Sequence, residues 1–149
     1  MTNPFKIKPV RMAKVSNLTS EPPVAVDSQI LARTIAEAAD DRKAADIVLL
    51  DVAEVSYLAD YFIVVTGFSP AQIRAIARSI EEKVLETYRR SPLNTNGKTE
   101  GGWVLLDYGD VIVHVFMPQE REFYNLEAFW GHAKRIPFSI PPQTKDSVD

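Results

Sequence analysis

Residues 103–116 read Trp-Val-Leu-Leu-Asp-Tyr-Gly-Asp-Val-Ile-Val-His-Val-Phe, and the fold follows from this stretch. Two runs of aliphatic, β-branched and aromatic residues flank the polar centre Asp-Tyr-Gly-Asp. Strand-forming residues on both sides of a glycine-containing turn predict a β-hairpin. A lone hairpin is only marginally stable, so the flanking sequence must supply further strands and helices.

The register of this hairpin has two solutions at the level of sequence. A two-residue turn sets Trp103 opposite His114 but requires a positive φ at Tyr108. A three-residue loop with only Gly109 left-handed sets Trp103 opposite Val113. We favour the second. Because a slip of one residue moves every side chain to the other face of the sheet, the sequence assigns no face to Trp103.

Two other apolar runs predict strands. Residues 47–52 and Tyr61–Thr66 are almost continuously apolar rather than alternating. Such runs are typical of strands that are buried on both faces. Residues 91–102 are polar and contain three glycines, which predicts a loop.

Apolar residues at helical spacing predict three helices. The first covers about residues 28–44, behind Ser28 as the capping residue. The second begins with Ser69 as N-cap and Pro70 in its first turn, and it continues for about 20 residues. The third covers residues 121–134. The order α-β-β-α-β-β-α predicts an α/β or α+β sandwich in which helices flank a mixed β-sheet.

Proline placement suggests where the folded domain begins and ends. Four of the ten prolines lie in the first 23 residues and three in the last 13. Residues 28–136 are therefore predicted to be the domain, between a flexible N-terminal arm (1–27) and a flexible C-terminal tail (137–149). The arm has a net charge of +2. We interpret it as a solvated tail; contact with RNA or an acidic surface, or a role as a transit segment, are the alternatives.

Composition excludes several classes of protein. The chain has 149 residues, a net charge of −3, no cysteine and two histidines. Disulfides, a thiolate nucleophile and a thiolate zinc site are therefore excluded. No apolar run approaches the roughly 18 residues of a membrane span. The acidic balance does not favour general binding to nucleic acid, which normally needs a basic face.

Residues for catalysis are scarce. His114 lies in an apolar strand and His132 near the end of a helix, so neither is placed as a general base. The sequence contains no glycine-rich phosphate-binding loop. Asp107 and Asp110 flank a turn, where aspartate is preferred for its bond to its own backbone, although a magnesium site is the alternative. Three acidic residues border the buried strands, where α/β sheets often place ligands: Asp51, Glu54 and Asp60.

Several motifs carry a resemblance to a known family. Beyond residues 103–116, they are Asp60-Tyr61-Phe62, Thr66-Gly67, Ser69, Glu100-Gly101, Pro118, Arg121-Glu122-Phe123-Tyr124, Leu126-Glu127 and Trp130. Together they resemble the ribosomal silencing factor family, also called the Iojap family, over roughly residues 30–130.

This resemblance implies a function. Members of the family bind the large ribosomal subunit through ribosomal protein uL-fourteen, block joining of the small subunit and lower translation when nutrients are scarce. They are similar in fold to nucleotidyltransferases but lack the catalytic acidic pattern, and no Gly-Ser followed by Asp-x-Asp occurs here either. The resemblance thus implies a non-enzymatic regulator, often homodimeric. Together with the composition, it predicts a cytoplasmic protein without cofactor, metal or membrane contact. Localisation in an organelle is the alternative if the arm is a transit segment.

The resemblance also indicates a contact surface. Trp103 and Tyr108 match positions at which the family contacts its ribosomal partner, and Asp107 matches the acidic residue between them. Large aromatic residues and a few charges dominate interface energies, which adds further candidates close in sequence: Phe116, Arg121, Glu122, Phe123 and Tyr124. The alternative for each aromatic residue is burial in its own domain, and for Arg121 and Glu122 simply the beginning of a helix.

The sequence leaves two other functions open. A divergent magnesium-dependent nucleotidyltransferase would use Asp60, Asp107 or Asp110 and would bind nucleotide with magnesium in a calorimetric titration. A dimeric adaptor would pair its aromatic surface with a second copy, which the mass in solution would reveal.

Overall fold

Six strands and four helices make up the part of the chain that the computed structural model describes, residues 22–98 and 102–138. In chain order they are α1 (Ser28–Asp41), β1 (Ala45–Asp51), β2 (Tyr61–Thr66), α2 (Pro70–Tyr88), β3 (Asn94–Asn96), β4 (Trp103–Asp107), β5 (Val111–Phe116), α3 (Pro118–Tyr124), α4 (Leu126–Phe129) and β6 (Lys134–Ile136).

The strands form one mixed sheet in the order β3-β4-β5-β2-β1-β6. β2 and β5 are parallel, and the other neighbours are antiparallel. The predicted fold class, a mixed sheet flanked by helices, is confirmed. Every residue of the central strand β2 is buried, as predicted. β1 is less buried than predicted, since only its residues Leu49 and Leu50 are buried. The reason is that β1 lies next to the short edge strand β6 and contains a bulge between Ala45 and Val48.

The two faces of the sheet are covered differently. α1 and α2 pack together on one face and form the main core with Val104, Leu106, Val113 and Val115 of the hairpin. A second, smaller cluster lies on the opposite side of the sheet, where Trp130 packs on Leu50 and Phe62. The second face is therefore covered less completely than the first.

The hairpin β4–β5 differs from both predicted registers. Trp103 pairs with Phe116, and the Tyr108 N–H donates to the Val111 carbonyl (2.9 Å), so the two turn residues are Gly109 and Asp110. Gly109 has φ +95°, which suits the first central position of a tight hairpin turn. The prediction placed the turn too early because it counted Tyr108 as a turn residue. Tyr108 instead continues the strand and enters the core.

The two long helices are close to their predictions. α2 has Ser69 as its N-cap, whose hydroxyl accepts from the Gln72 N–H (3.0 Å), and Pro70 begins the helix. α1 is shorter than predicted: it ends at Asp41, and Lys43 adopts φ +65°. Its N-cap is Asp27 rather than Ser28, with the Asp27 carboxylate accepting from the Gln29 N–H (2.7 Å).

The C-terminal part of the prediction was wrong. Instead of one helix over residues 121–134, the chain forms α3 and α4, which are separated by Asn125 in the left-handed conformation (φ +46°). The chain then enters β6. β6 and β3 were both missed because three-residue edge strands with polar side chains carry no hydrophobic period; pairing with β1 and β4 creates them.

Residues flanking the predicted domain also dock on it. The Val24 N–H donates to the Tyr88 carbonyl (2.8 Å), and Val26 packs against the main core. At the other end Phe138 packs on the same core. The rest of the predicted arm and tail, residues 1–21 and 139–149, lies outside the described residues. Among the described residues, no helix is long and apolar enough to cross a membrane.

Tyr108 provides a test of the hairpin register. Its side chain is 0% exposed, and its hydroxyl makes no hydrogen bond with any described residue. Tyr108→Ala should lower the free energy of unfolding by about 3–5 kcal/mol, the usual cost of removing a buried aromatic ring. Tyr108→Phe removes only the unpaired hydroxyl and should change it by less than about 1 kcal/mol. Urea denaturation measures both, and a marginal loss in Tyr108→Ala would contradict the register.

Candidate functional site

The face of the sheet opposite α1 and α2 carries a cluster of rings. Side chains alternate along β4 and β5, so Trp103 lies on this face while Val104 points into the main core. Trp103, His114 and Phe116 of the sheet and Tyr124 of α3 form the cluster, which we call the aromatic face.

Trp103 is the half-buried centre of the aromatic face. Its ring centroid lies 4.9 Å from that of Phe116 and 4.5 Å from that of Tyr124. Its indole N–H donates to Nδ1 of His114 (3.3 Å). These contacts hold the indole in one orientation while part of it stays exposed, which is favourable for binding because little side-chain entropy is lost.

His114 is a packing residue. It is 6% exposed, and Nδ1 accepts the hydrogen bond from Trp103, which assigns the ring proton to Nε2. Nε2 has no partner among the described residues. Burial lowers the pKa of His114 to about 4, so the ring is neutral at physiological pH. A neutral imidazole in this position supports Trp103 and is poorly placed for proton transfer.

The structure corrects the expectation for two aromatic residues. Tyr108 and Phe116 are both 0% exposed, so neither presents its side chain to a partner. Tyr108 is five residues from Trp103 and therefore lies on the opposite face, in the main core, where burial raises the pKa of its hydroxyl. Phe116 lies on the same face as Trp103 but underneath it. Of these two residues, only Phe116 contributes to the aromatic face, because its buried ring packs beneath Trp103.

The carboxylates of the turn have structural partners. Asp107 accepts from the Gly109 N–H through Oδ1 (2.7 Å), and Asp110 forms an ion pair with Arg90 (2.9 Å). Asp51 accepts from the Ala53 N–H, and Asp60 accepts from the Ser28 hydroxyl. Within residues 22–98 and 102–138, no group of three acidic or histidine side chains is arranged to hold a metal ion. The partners of Asp107 and Asp110 therefore favour a structural role in the turn over a magnesium site.

Arg121 and Glu122 lie side by side on α3 in different environments. Arg121 is nearly buried and donates to the Asp46 carbonyl, the Thr66 hydroxyl and the Glu127 carboxylate. Glu122 is exposed. Of the two, only Glu122 is available for a direct contact.

An open groove of about 450 Å³ runs beside Trp103. Its wall includes Leu105, Tyr124 and Glu120, whose carboxylate lies above Gly102. Phe123, 78% exposed, stands beside Tyr124. Glu120 was not among the residues predicted from sequence; its place one helical turn before Tyr124 is the signal that could have found it. The groove combines the rings of Trp103 and Tyr124 with polar groups that include the Glu120 carboxylate, and this mixture suits the binding of a protein surface.

Comparisons with known proteins all point to the same family. A family model described as "Ribosomal silencing factor during starvation" matches residues 25–149. A Bacillus subtilis protein named ribosomal silencing factor RsfS is 42% identical over 108 residues, which cover 72% of this chain and 91% of that protein. A Zea mays protein named Iojap, chloroplastic, is 43% identical over 115 residues, or 75% of this chain and 47% of the maize protein.

A solved structure agrees with these sequence matches. The crystal structure of a Chromobacterium violaceum protein superposes with a TM-score of 0.69 at 36% identity, covering 77% of this chain and 94% of that one. The family model also extends beyond Trp130 to residue 149, farther than the resemblance recognised in the motifs.

The burial of neutral His114 predicts acid sensitivity. The unfolded chain binds a proton at an ordinary histidine pKa near 6.5, whereas the folded chain binds it only near pH 4. The unfolded state therefore takes up more protons in this window, so the free energy of unfolding should fall by about 2 kcal/mol between pH 7 and pH 5. Urea denaturation at the two values measures the fall.

His114→Phe is the control for this prediction. It keeps a ring in the cluster and removes the titrating group, so the fall between pH 7 and pH 5 should largely disappear. The hydrogen bond from Arg121 lowers the pKa of the Glu127 carboxyl from its ordinary value of 4.5. The stability that this ionised carboxylate contributes is therefore lost only in solutions more acidic than the window between pH 7 and pH 5. An equal slope in the variant and the parent would assign the acid sensitivity to other groups.

Proposed function

Since the chain belongs to the ribosomal silencing factor family, we propose that it binds the large ribosomal subunit through ribosomal protein uL-fourteen and blocks joining of the small subunit. The family name supports a regulatory role in translation and a ribosome-associated function. The proposal adds the partner, the surface and the way in which translation is lowered when nutrients are scarce.

The observation that carries the proposal is the partly exposed, pre-oriented Trp103 on a sheet face that, within the described part of the chain, is covered by no long helix. Tryptophan in the centre of an interface is the residue type that most often dominates binding energy. Tyr124, 45% exposed, extends the apolar area at one side. These two rings supply the centre of the proposed contact.

Acidic side chains complement the expected partner. Glu120 lines the groove beside Trp103, and Glu122 is exposed on the same helix. Proteins that are seated on ribosomal RNA carry lysine and arginine, because these residues neutralise phosphates. Carboxylates around an apolar centre would steer such a basic surface and orient it. Asp107, on the Trp103 face of β4, belongs to this proposed contact, although one of its oxygens is bonded within the turn.

The proposed mechanism is steric. The small and large subunits meet over a defined surface, and a bound domain on that surface excludes the other particle without any covalent step. We propose no catalytic activity, because neutral His114 and the partnered carboxylates of Asp60, Asp107 and Asp110 offer no activated base.

The protein would act in the compartment that holds its ribosomes. We place it in the cytoplasm, with an organelle as the alternative; the name of the maize relative refers to the chloroplast. A second copy of the chain as an additional partner stays a prediction.

Replacing Trp103 tests the proposed contact. Trp103→Ala should weaken binding to isolated large subunits by at least about thirtyfold, which corresponds to about 2 kcal/mol at an interface hot spot. The measurement is co-sedimentation at a series of protein concentrations, together with an assay of joining to small subunits. The variant should lose both activities in parallel.

Tyr57→Ala is the matched control. Tyr57 is 93% exposed in the loop between β1 and β2, remote in sequence from the aromatic face, so its loss should leave binding unchanged. A thermal melt of each free variant separates loss of contact from loss of fold. A folded Trp103→Ala protein that binds large subunits as tightly as the parent would refute the proposed surface.

A further inference from the structure

We infer that Arg121 is a positioning residue: it holds α3 and α4 on the sheet so that the Tyr124 ring stays packed against Trp103. This inference rests on the proposed function, because the aromatic face is the surface whose shape the contacts of Arg121 would maintain. It assigns Arg121 to the support of the contact surface rather than to the contact itself.

The guanidinium of Arg121 is engaged on three sides. Nη1 donates to the Asp46 carbonyl (2.7 Å) and to the Thr66 hydroxyl (2.8 Å). Nε and Nη2 donate to the two oxygens of Glu127 (3.1 and 2.8 Å). The side chain is only 12% exposed. A guanidinium used in this way has little surface and few donors left for another protein.

α3 and α4 depend on contacts of this kind with the rest of the domain. They have seven and four residues, respectively, and neither contains a buried residue. Helices of this length are not stable without tertiary contacts. The Arg121–Glu127 pair spans Asn125, where the left-handed backbone separates the two helices, so it fixes the angle between them.

The contacts of Arg121 reach two strands of the sheet and the aromatic face. Asp46 lies in the bulge of β1 with φ +51°, and Thr66 is the last residue of β2. Tyr124 lies three residues after Arg121, nearly one helical turn along α3, with its ring centroid 4.5 Å from that of Trp103. Because the two oxygens of Glu127 are held by a planar fork, a lysine cannot reproduce the bidentate geometry.

A double-mutant cycle tests the inference on the full chain. The variants are Arg121→Ala, Glu127→Ala, the double variant and Arg121→Lys. Arg78→Ala, which removes an exposed arginine of α2, is the control. Binding to isolated large subunits and the near-ultraviolet circular dichroism of the free protein are measured for each. The spectra are recorded in variants that also carry Trp130→Phe, because the chain has two tryptophans. The remaining tryptophan signal then reports the packing of Trp103 against its neighbouring rings without any partner present.

We expect Arg121→Ala, Arg121→Lys and Glu127→Ala each to weaken binding by at least about tenfold. The double variant should bind no more weakly than whichever of Arg121→Ala and Glu127→Ala has the lower affinity. The near-ultraviolet signal should decrease in all four. The far-ultraviolet melt should keep one cooperative transition, because the core under α1 and α2 is untouched. Arg78→Ala should match the parent throughout.

Other outcomes would overturn the inference. Weak binding in Arg121→Ala, with normal binding in Glu127→Ala and an unchanged near-ultraviolet signal, would make Arg121 a direct contact. Parental binding and spectra in all variants of Arg121 and Glu127 would remove Arg121 from the site, whereas the Trp103→Ala result would still decide the proposed function. If Trp103→Ala binds normally, the proposed function fails, and the spectra of the free variants alone decide whether Arg121 positions Tyr124.

Discussion

The parallel pairing of β2 with β5 is the constraint on which the rest of the structure depends. Six residue pairs join the two strands, from Tyr61 with Val111 to Thr66 with Phe116. Parallel neighbours need a crossover connection, and here α2 and the two strands after it lie between them in the chain. α2 packs with α1 on one face of the sheet, and its apolar stripe completes the main core there. The second face is thereby left to the segment of chain after β5.

The two short helices after β5 give the second face its character. α3 and α4 contribute no buried residue, and the sheet is covered here by Tyr124 of α3 and by Trp130, which follows α4. Trp103 is consequently supported from below and from one side while its remaining surface stays open. An exposed apolar patch with a polar rim is the usual mark of a protein-binding site. In the inferred arrangement, one nearly buried arginine, Arg121, keeps the patch in shape in place of a helix with its own core.

Local signals in the sequence were sufficient for part of the fold, whereas the residues of the contact surface stay predictions. The almost continuous apolar run of β2 predicted its burial, and Ser69 with Pro70 predicted the beginning of α2. Trp103 and Tyr124 were both identified as candidates, and both lie on the aromatic face. Arg121 was identified as well, although its hydrogen bonds favour a supporting role. The confirmed elements, β2 and the beginning of α2, depend on residues whose preferred environment or capping role is set within a few neighbours.

The sequence by itself therefore determined the existence of the hairpin, the buried central strand and the long capped helix, because each follows from local periodicity and turn chemistry. Only the tertiary structure decided the hairpin register, which separates Trp103 on the open face from Tyr108 in the core. Only it created the edge strands β3 and β6 and the break at Asn125. The physical reason is shared: register, edge pairing and the partners of a long side chain such as Arg121 are contacts between distant segments, and their energies leave no periodic trace in the chain.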